Sequence, residues 1–240
     1  MHILVIDGGH VEAEFRAKFG PGHAYSFFST DYELPGGWPV IERAIAEVAT
    51  VAEVAFCFGK TDYHSHAFRA VGQVSFPIFT EILKESLAES RWEAENGPPP
   101  TVLFGFCGLP TLLNRSLLEV SLYHEADREK LAETCAALGT DYRVVADRVG
   151  LVTPRVICQI INEACFTVQE GTATIQDVDL GMRLGTSYPR GPFAWANAIG
   201  VERVYAVLEA MWHDTHDERY KVCPLLKRQA LRGEPFQAMD

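Results

Sequence analysis

The glycine-containing turn at residues 7–12 (D-G-G-H-V-E) follows the first apolar run of the chain and could bind phosphate. A glycine-rich turn between a strand and a helix lets the backbone approach a pyrophosphate, which then lies at the helix N-terminus. In the G-x-G-x-x-G motif for this role, Gly9 holds a glycine position and Gly8 a variable one, whereas Asp7 and Glu12 replace the outer glycines. Gly8 and Gly9 are the candidate cofactor-binding residues. The two acids favour the alternative, a turn without a ligand.

Histidines are the next residues that could do chemistry, as metal ligands or as a general base. His64 and His66 form a His-x-His pair without further ligands nearby, which favours a polar loop over a metal site. His124 opens a charged segment and is interpreted as a surface residue. His213 and His216 fall near the C-terminal end of a helix, where cations complement the helix dipole. The sequence predicts no metal site.

Composition narrows the class of protein. The 240 residues suffice for one large or two modest domains, and the net charge of −11 argues against a nucleic-acid-binding surface. No apolar run reaches the roughly 20 residues that span a bilayer. The 6 cysteines are scattered and mostly lie in apolar runs, which predicts buried free thiols. We therefore expect a cytoplasmic protein without nucleic-acid or membrane partners.

Strands and helices alternate over the first two thirds of the chain, which predicts a doubly wound, mostly parallel sheet. The predicted strands are His2–Ile6, His23–Ser29, Val54–Phe58, Val74–Phe79, Thr101–Cys107, Leu117–Leu122 and Tyr142–Ala146. The predicted helices are Val11–Phe19, Pro39–Val48, a helix around Glu81–Trp92, and Glu125–Leu138.

From Gly150 to Gly200 the chain carries helix boundaries that agree with one another, and it predicts an all-helical unit beginning near Arg148–Thr153. The predicted boundaries are a left-handed glycine cap at Gly171, a capping box from Thr174 to Asp177, a helix end at Gly185, a helix start at Pro192 and a helix end at Gly200.

The same stretch contains short motifs in a fixed order. They are INEA at 161–164, EG at 170–171, DVD at 177–179, M-x-LG at 182–185, YPRGPF at 188–193 and CPLLKRQAL at 223–231. Together they resemble the C-terminal domain of the L-3-hydroxyacyl-CoA dehydrogenases. The resemblance implies a shortened Rossmann-like α/β domain of the NAD-binding type at residues 1–149. It further implies an all-α domain at 150–240, like the C-terminal domain of 6-phosphogluconate dehydrogenase.

The resemblance also assigns family roles to positions of this chain. The catalytic base, a histidine, corresponds to Phe106, and the glutamate that orients it corresponds to Glu119. The asparagine that binds the substrate oxygen corresponds to Pro154, and the serine corresponds to Glu85, with Ser86 beside it. Glu119 is therefore the single candidate catalytic residue, because neither a phenyl ring nor proline can do the work of the residue it replaces.

Two functions follow from this resemblance. The first is a non-catalytic homologue that forms a homodimer through its C-terminal helical domain and binds an acyl-CoA-like ligand. The alternative is an active oxidoreductase that converts L-3-hydroxyacyl-CoA to 3-oxoacyl-CoA in fatty acid β-oxidation, with a relocated base such as His124. NAD is the implied cofactor. The acidic residue expected to bind its ribose corresponds to Ser29, which favours the first function.

Overall fold

The computed structural model describes residues 1–30, 37–59, 74–89 and 102–238, with the side chains of 37–39 left aside. The chain divides into two compact units. The sheet unit comprises Met1–Gly108 and Leu112–Leu151, and the helical unit comprises Leu109–Thr111 and Val152–Asp240.

The sheet unit contains seven strands in the order β2-β1-β3-β4-β5-β6-β7. The strands are β1 (His2–Ile6), β2 (Ala24–Phe28), β3 (Val54–Cys57), β4 (Ile78–Glu81), β5 (Leu103–Phe106), β6 (Leu117–Leu122) and β7 (Asp141–Val144). Neighbours pair in parallel except β5 and β6, which pair antiparallel. This mostly parallel sheet confirms the predicted fold class.

Three helices of the described residues belong to the sheet unit: α1 (Glu12–Phe19), α2 (Gly37–Ala49) and α3 (Arg128–Leu138). Phe15 and Phe19 of α1 are buried against the sheet, as their helical spacing predicts. Phe15 meets Phe56 edge to face at 5.0 Å, and Phe56 stacks on Phe79 at 4.6 Å. Aromatic rings therefore form the centre of this core.

The predicted helix around Glu81–Trp92 is wrong over the residues that the structure describes. Glu81 ends β4, and residues 82–89 form bends and turns; Ser90–Trp92 lie outside the described residues. The neighbouring strand prediction, Val74–Phe79, begins too early. Pro77 has no N–H to donate to a sheet, and β4 begins directly after it.

The described helices of the helical unit are α4 (Thr153–Gln169), α5 (Ile175–Thr186), α6 (Pro192–Ile199), α7 (Val201–Thr215) and α8 (Pro224–Arg232). The capping box is confirmed, because Thr174 accepts from the Asp177 N–H and Asp177 accepts from the Thr174 N–H. Gly171 has φ of 77°, as a left-handed cap requires. The prediction that Gly185 ends α5 is wrong: the helix runs through Thr186, and Ser187 adopts the left-handed conformation with φ of 58°.

All six cysteines are free and buried, as predicted. Burial raises the pKa of the Cys158 thiol to about 12. No described helix has both the length and the apolar character needed to cross a membrane.

Candidate functional site

The carboxyl ends of β1 and β3 mark the place where the strand order reverses direction. In open parallel sheets, ligands bind in the crevice outside the strand ends at such a switch point. The predicted cofactor turn follows β1, and Phe58 follows β3. This edge of the sheet is therefore the candidate nucleotide site.

Asp7, at the first glycine position of the motif, has its carboxylate bound within the protein. It has φ of 58°, a left-handed conformation that aspartate tolerates better than most residues. One carboxylate oxygen accepts the Thr30 N–H at 2.7 Å, and the other accepts the Thr30 hydroxyl at 2.6 Å. Thr30 is buried and follows β2. The negative charge also raises the pKa of the buried Cys57 thiol, in addition to the larger effect of burial.

Phe58 fills the space between two glycine turns. A Cβ built on Gly8 would lie 2.7 Å from one edge of the Phe58 ring and 2.6 Å from Val5 Cγ1. A Cβ built on Gly108 would lie 2.6 Å from the opposite edge of the same ring. Phe58 is only 2% exposed, so its ring occupies the room that the two glycines create. Gly8 thus admits a phenyl ring of the protein itself.

The rest of the turn is closer to solvent. No heavy atom lies within 4 Å of a Cβ built on Gly9. Glu12, at the third glycine position, opens α1, and its carboxylate pairs with Arg16 at 2.7 Å. Of the two candidate glycines, Gly8 is therefore committed to packing and Gly9 faces open space.

Glu81 adds a carboxylate to this edge of the sheet. It ends β4, and its Oε2 accepts the Gly59 N–H at 3.1 Å. Its Oε1 would lie 2.6 Å from a Cβ on Gly108. The carboxylate thus borders the glycine turn that also contacts Phe58.

Phe106 and Glu119 lie on neighbouring strands, β5 and β6. Phe106 is fully buried in the aromatic core, where it meets Phe58 edge to face at 5.2 Å. Val120 pairs with Phe106 across the antiparallel ladder, so these two side chains share one face of the sheet. Glu119 precedes Val120 and is directed to the opposite face, since side chains alternate along a strand. A base at position 106 would therefore not share a face with Glu119.

The segment 83–87, which the resemblance aligns with the family serine segment, and the adjoining Ala88 bind an acid of the same unit. The Leu87 and Ala88 N–H groups donate to the two carboxylate oxygens of Asp147 at 2.8 and 3.0 Å. The Ser86 hydroxyl donates to Glu89 at 2.9 Å, and the Glu89 N–H donates back to it at 3.1 Å. These interactions hold the turn, and they explain why the segment is not part of a longer helix from Glu81.

The other predicted positions are dispersed. Pro154 lies in the first turn of α4, as expected of proline there, and Ser29 is exposed at the end of β2. His124 is exposed and meets Tyr123 edge to face at 4.6 Å. His213 lies in the last turn of α7 and His216 caps it. His64 and His66 lie outside the described residues, which contain no group of three metal-ligating side chains.

Within the helical unit, the motif residues bind backbone groups. Asp179 is buried and accepts the Phe193 N–H at 2.7 Å and the Ala194 N–H at 3.0 Å, which caps α6. A Cβ on Gly191 would lie only 2.5 Å from Asp179 Cα, so glycine is required at this approach. The DVD and YPRGPF motifs thus meet in one contact.

Asn162 of the INEA motif makes a second contact of this kind. Its Nδ2 donates to the Lys221 carbonyl at 3.0 Å, and its Oδ1 accepts the Cys223 N–H at 2.8 Å. Asn162 is buried and Cys223 is the N-cap residue of α8. The motif therefore fixes the start of α8 against α4.

An apolar groove of about 360 Å³ runs between α4 and α5. Its lining includes Ile160, Ala164, Val178, Met182 and Pro192. Val156, one turn before Ile160, is 53% exposed, and Leu184, three residues after the groove residue Gly181, is 72% exposed. The groove and these two exposed side chains form an apolar surface on α4 and α5.

Comparison with known proteins assigns the helical unit to a family. Residues 150–238 match the family model of the 3-hydroxyacyl-CoA dehydrogenase C-terminal domain. The helical unit is therefore similar to the 3-hydroxyacyl-CoA dehydrogenase C-terminal domain. The chain is 44% identical over 94 residues to the 3-hydroxyadipyl-CoA dehydrogenase of Escherichia coli, which involves 39% of this chain but only 20% of that relative. The chain thus spans about a fifth of that curated relative.

Likeness over the whole chain is weaker. The 3-hydroxybutyryl-CoA dehydrogenase of Mycobacterium tuberculosis is 25% identical over 209 residues, which cover 86% of this chain and 70% of that relative. The crystal structure of FadB2 from M. tuberculosis superposes with a TM-score of 0.74 at 18% identity, over 98% of this chain and 95% of that one. The fold of a 3-hydroxyacyl-CoA dehydrogenase-like protein therefore extends through the sheet unit.

Sequence reasoning did not anticipate the side chains that occupy the candidate site. The sequence predicts Phe58 as a strand residue and Glu81 as a helix residue, and it assigns no role to Thr30 or Asp147. The available signal for Thr30, Phe58 and Glu81 is position, because each ends or closely follows one of the parallel strands β2, β3 and β4. At the carboxyl edge of a parallel sheet, such residues come together regardless of their separation along the chain. Asp147 follows β7, which runs antiparallel to those strands, and has no such signal.

Proposed function

We propose that this chain is a 3-hydroxyacyl-CoA dehydrogenase-like protein that does not transfer hydride through the family's residues. The observation that carries the proposal is the Phe58 ring, which fills the space between Gly8 and Gly108 at the switch point of the sheet. A dinucleotide needs the backbone of that turn to approach its pyrophosphate closely. The motif glycine for that approach is Gly9, which faces open space, whereas the buried Phe58 ring packs against Gly8 and fixes a turn whose first glycine is replaced by Asp7.

Charge supports the same conclusion. The Asp7 carboxylate lies at the end of β1, held by Thr30, and Glu12 opens α1. Both negative charges stand where the helix N-terminus would attract a pyrophosphate. NAD, the cofactor of the family resemblance, is therefore not bound at this turn.

The position of the catalytic base supports it independently. Phe106 cannot accept a proton, and its ring is buried in the aromatic core. Glu119, the one carboxylate retained at a family position, is directed to the other face of the sheet. Glu119 then acts as a residue of the strand and not as the partner of a base.

Calorimetric titration of the purified protein with NADH, and then with acetoacetyl-CoA, tests the proposal. We expect no heat from NADH and no NADH oxidation when both ligands are present. A 3-hydroxybutyryl-CoA dehydrogenase titrated in parallel shows that the assay detects binding. Micromolar NADH binding with turnover would overturn the proposal in favour of an active dehydrogenase, and His124→Ala and Glu119→Gln would then identify its base.

Variants of the turn separate charge from bulk. Glu12→Gly restores the third motif glycine, and Glu14→Gly is its matched control, because both acids lie in the first turn of α1. We expect neither variant to bind NADH, because the Phe58 ring remains in place. A gain confined to Glu12→Gly would mean that the Glu12 side chain, and not the Phe58 ring, excludes the cofactor.

The proposal assigns dimerisation and an acyl-CoA-like ligand to the helical unit. The exposed apolar side chains of Val156 and Leu184 flank the groove between α4 and α5, and burying them against a second copy would remove them from water. Names of the curated relatives, such as 3-hydroxyadipyl-CoA dehydrogenase, support a CoA thioester as the ligand. Six buried free thiols suit a reducing compartment such as the cytoplasm.

Light scattering after size exclusion tests the dimer. Leu184→Glu places a charge beside the groove, and Leu231→Glu on α8 is a matched control because both leucines are 72% exposed. We expect Leu184→Glu to halve the mass of the assembly, whether or not a second contact joins the copies, and Leu231→Glu to leave it unchanged. Equal behaviour of the two variants would contradict a contact through this groove.

The calorimetric titration tests the proposed ligand. Heat on addition of acetoacetyl-CoA, without heat on addition of NADH, would support binding of an acyl-CoA-like ligand. Absence of heat with acetoacetyl-CoA would contradict it.

A further inference from the structure

The two outer strands of the sheet, β2 and β7, differ in the polarity of their side chains although both lie at an edge. β7 carries Asp141 and Arg143, and charged side chains of this kind protect a free edge from pairing with another chain. β2 reads Ala-Tyr-Ser-Phe-Phe and contains no charge, no proline and three aromatic residues. A strand of that composition is typical of one that has a neighbour on both sides.

The hydrogen bonds of β2 show which backbone groups remain. The Ala24 N–H donates to the Met1 carbonyl at 2.9 Å, and the Phe28 carbonyl accepts the Asp7 N–H at 2.8 Å. Because backbone groups alternate in direction along a strand, Ala24, Ser26 and Phe28 face β1. The N–H and C=O groups of Tyr25 and Phe27 therefore point away from β1, and no described strand pairs with that side.

The chain between β2 and α2 is too short to supply the missing neighbour. In the common doubly wound order, a further parallel strand lies outside the second one. Parallel strands need a crossover of a dozen or more residues, whereas only residues 29–36 separate β2 from α2. Among the residues that the structure describes, none forms a strand on the outer side of β2.

We propose that β2 pairs antiparallel with β2 of a second copy of this chain, with the two-fold axis at Ser26. In this register Tyr25 of each copy lies opposite Phe27 of the other, and these are the residues whose backbone groups point outward. Each opposed pair exchanges two hydrogen bonds, and Ser26 faces Ser26 at the non-hydrogen-bonded position between them. The sequence A-Y-S-F-F thus pairs aromatic with aromatic on both sides of the axis.

The surroundings of β2 are compatible with this contact. Arg16 of α1 lies over the rings of Tyr25 and Phe27 at 4.9 and 5.0 Å, so both rings are held in place before pairing. The Arg16 charge is paired with Glu12, which limits repulsion between the two copies. The contact involves the sheet unit only and does not depend on the proposed function or on the groove of the helical unit.

Cysteine cross-linking tests the register. In Ser26→Cys the two thiols face each other, with Cα atoms about 4.5 Å apart, within the range that a disulfide spans. Ser29→Cys is the control, because in this register its two copies lie about 20 Å apart. The native thiols should not form competing cross-links, since all six are buried. We expect a covalent dimer from Ser26→Cys on mild oxidation and none from Ser29→Cys. Absence of the dimer, or equal cross-linking of both variants, would overturn the proposal.

Variants of opposite charge at Ser26 show whether a loss of the dimer results from broken pairing or from a folding defect. Ser26→Lys and Ser26→Glu each place like charges opposite each other, and both should be monomeric in the Leu184→Glu background, in which the contact through the groove is disrupted. Mixing the two proteins should restore a dimer, which a misfolded variant could not do. The mass of Leu184→Glu is measured by light scattering over a range of protein concentrations. If this variant is monomeric at all of them, β2 does not pair and the proposal fails. If Leu184→Glu remains a dimer that Ser26→Lys dissociates, the β2 contact holds whatever the role of the groove.

Discussion

The sheet unit and the helical unit use their family positions in opposite ways. In the helical unit, motif residues such as Asp179 and Asn162 are buried polar groups that bind backbone N–H and C=O groups. In the sheet unit, Phe106 lies in an aromatic core and Gly8 contacts Phe58. The motif residues of the helical unit therefore hold helices together, whereas Phe106 and Gly8 of the sheet unit lie in packing contacts.

This difference agrees with the extent of the family match, which covers residues 150–238. Identity reaches 44% over a stretch of 94 residues, but a relative aligned over 209 residues is only 25% identical. A residue that binds the backbone in a buried place cannot be exchanged without loss of stability. A catalytic residue has no such constraint once the reaction is lost, because stability alone accepts many side chains in its place. The comparison predicts different costs for substitutions in the two units.

The largest effect is expected at Asp179. Asp179→Ala leaves the Phe193 and Ala194 N–H groups without their buried acceptor, and we expect a loss of about 3 kcal/mol in the free energy of unfolding. Urea denaturation followed by circular dichroism measures it. Asp214→Ala, in the exposed last turn of α7, is the control and should change stability by less than about 0.5 kcal/mol. Equal losses in the free energy of unfolding at Asp179 and Asp214 would mean that a buried polar contact contributes no more to stability than an exposed charge.

The next effect compares two adjacent glycines in the sheet unit. Gly8→Ala forces a methyl group into the Phe58 ring and Val5, and we expect a loss of about 2 kcal/mol from overpacking. Gly9→Ala meets no atom within 4 Å and should be neutral or slightly stabilising. Thermal unfolding of the two variants measures the difference. A neutral Gly8→Ala would mean that Phe58 moves freely and that the turn has room for a ligand after all.

The elements that sequence predicted well are those whose causes are local. Helical spacing of Phe15 and Phe19, the capping box at Thr174, and Gly171 as a left-handed cap each depend on a few neighbouring residues. The mostly parallel character of the sheet follows from the alternation of strands and helices along the chain. These features could be predicted because the chemistry that produces them lies within one or two turns of chain.

The candidate site could be predicted only in part, because its contacts join distant residues. Substitution at position 106 was visible in the sequence, but the Phe58 ring between Gly8 and Gly108 joins three loops. The failed helix around Glu81–Trp92 has the same origin. Its apolar residues suit a helix, yet Asp147, far along the chain, binds the N–H groups of Leu87 and Ala88 and stabilises a turn.

Alkaline pH should destabilise both units, because each contains buried thiols. In this property the two units should not differ. Burial raises the pKa of Cys158 in the helical unit to about 12 and also raises that of Cys57 in the sheet unit. The unfolded chain ionises its thiols near pH 9, so this stability is fully present below pH 9 and is lost as pH rises towards the folded pKa. Each thiol should contribute a loss of about 1 kcal/mol between pH 8 and pH 10. Denaturation at the two pH values measures it, and Cys158→Ala should flatten the dependence; an unchanged slope would contradict the assignment.

The smallest effect is expected at the exposed capping box, which sequence alone identified. Thr174→Ala removes the acceptor of the Asp177 N–H, and we expect a loss of about 0.5 to 1 kcal/mol, measured by urea denaturation. Asp177→Ala should cost a similar amount, because its carboxylate accepts from the Thr174 hydroxyl and N–H. The double variant should cost less than the sum, since each side chain loses the same partner. Strict additivity would mean that the two contacts act separately. A loss as large as that of Asp179→Ala would mean that exposure does not distinguish the caps of α5 and α6, and that the stability of the helical unit depends on all of its caps equally.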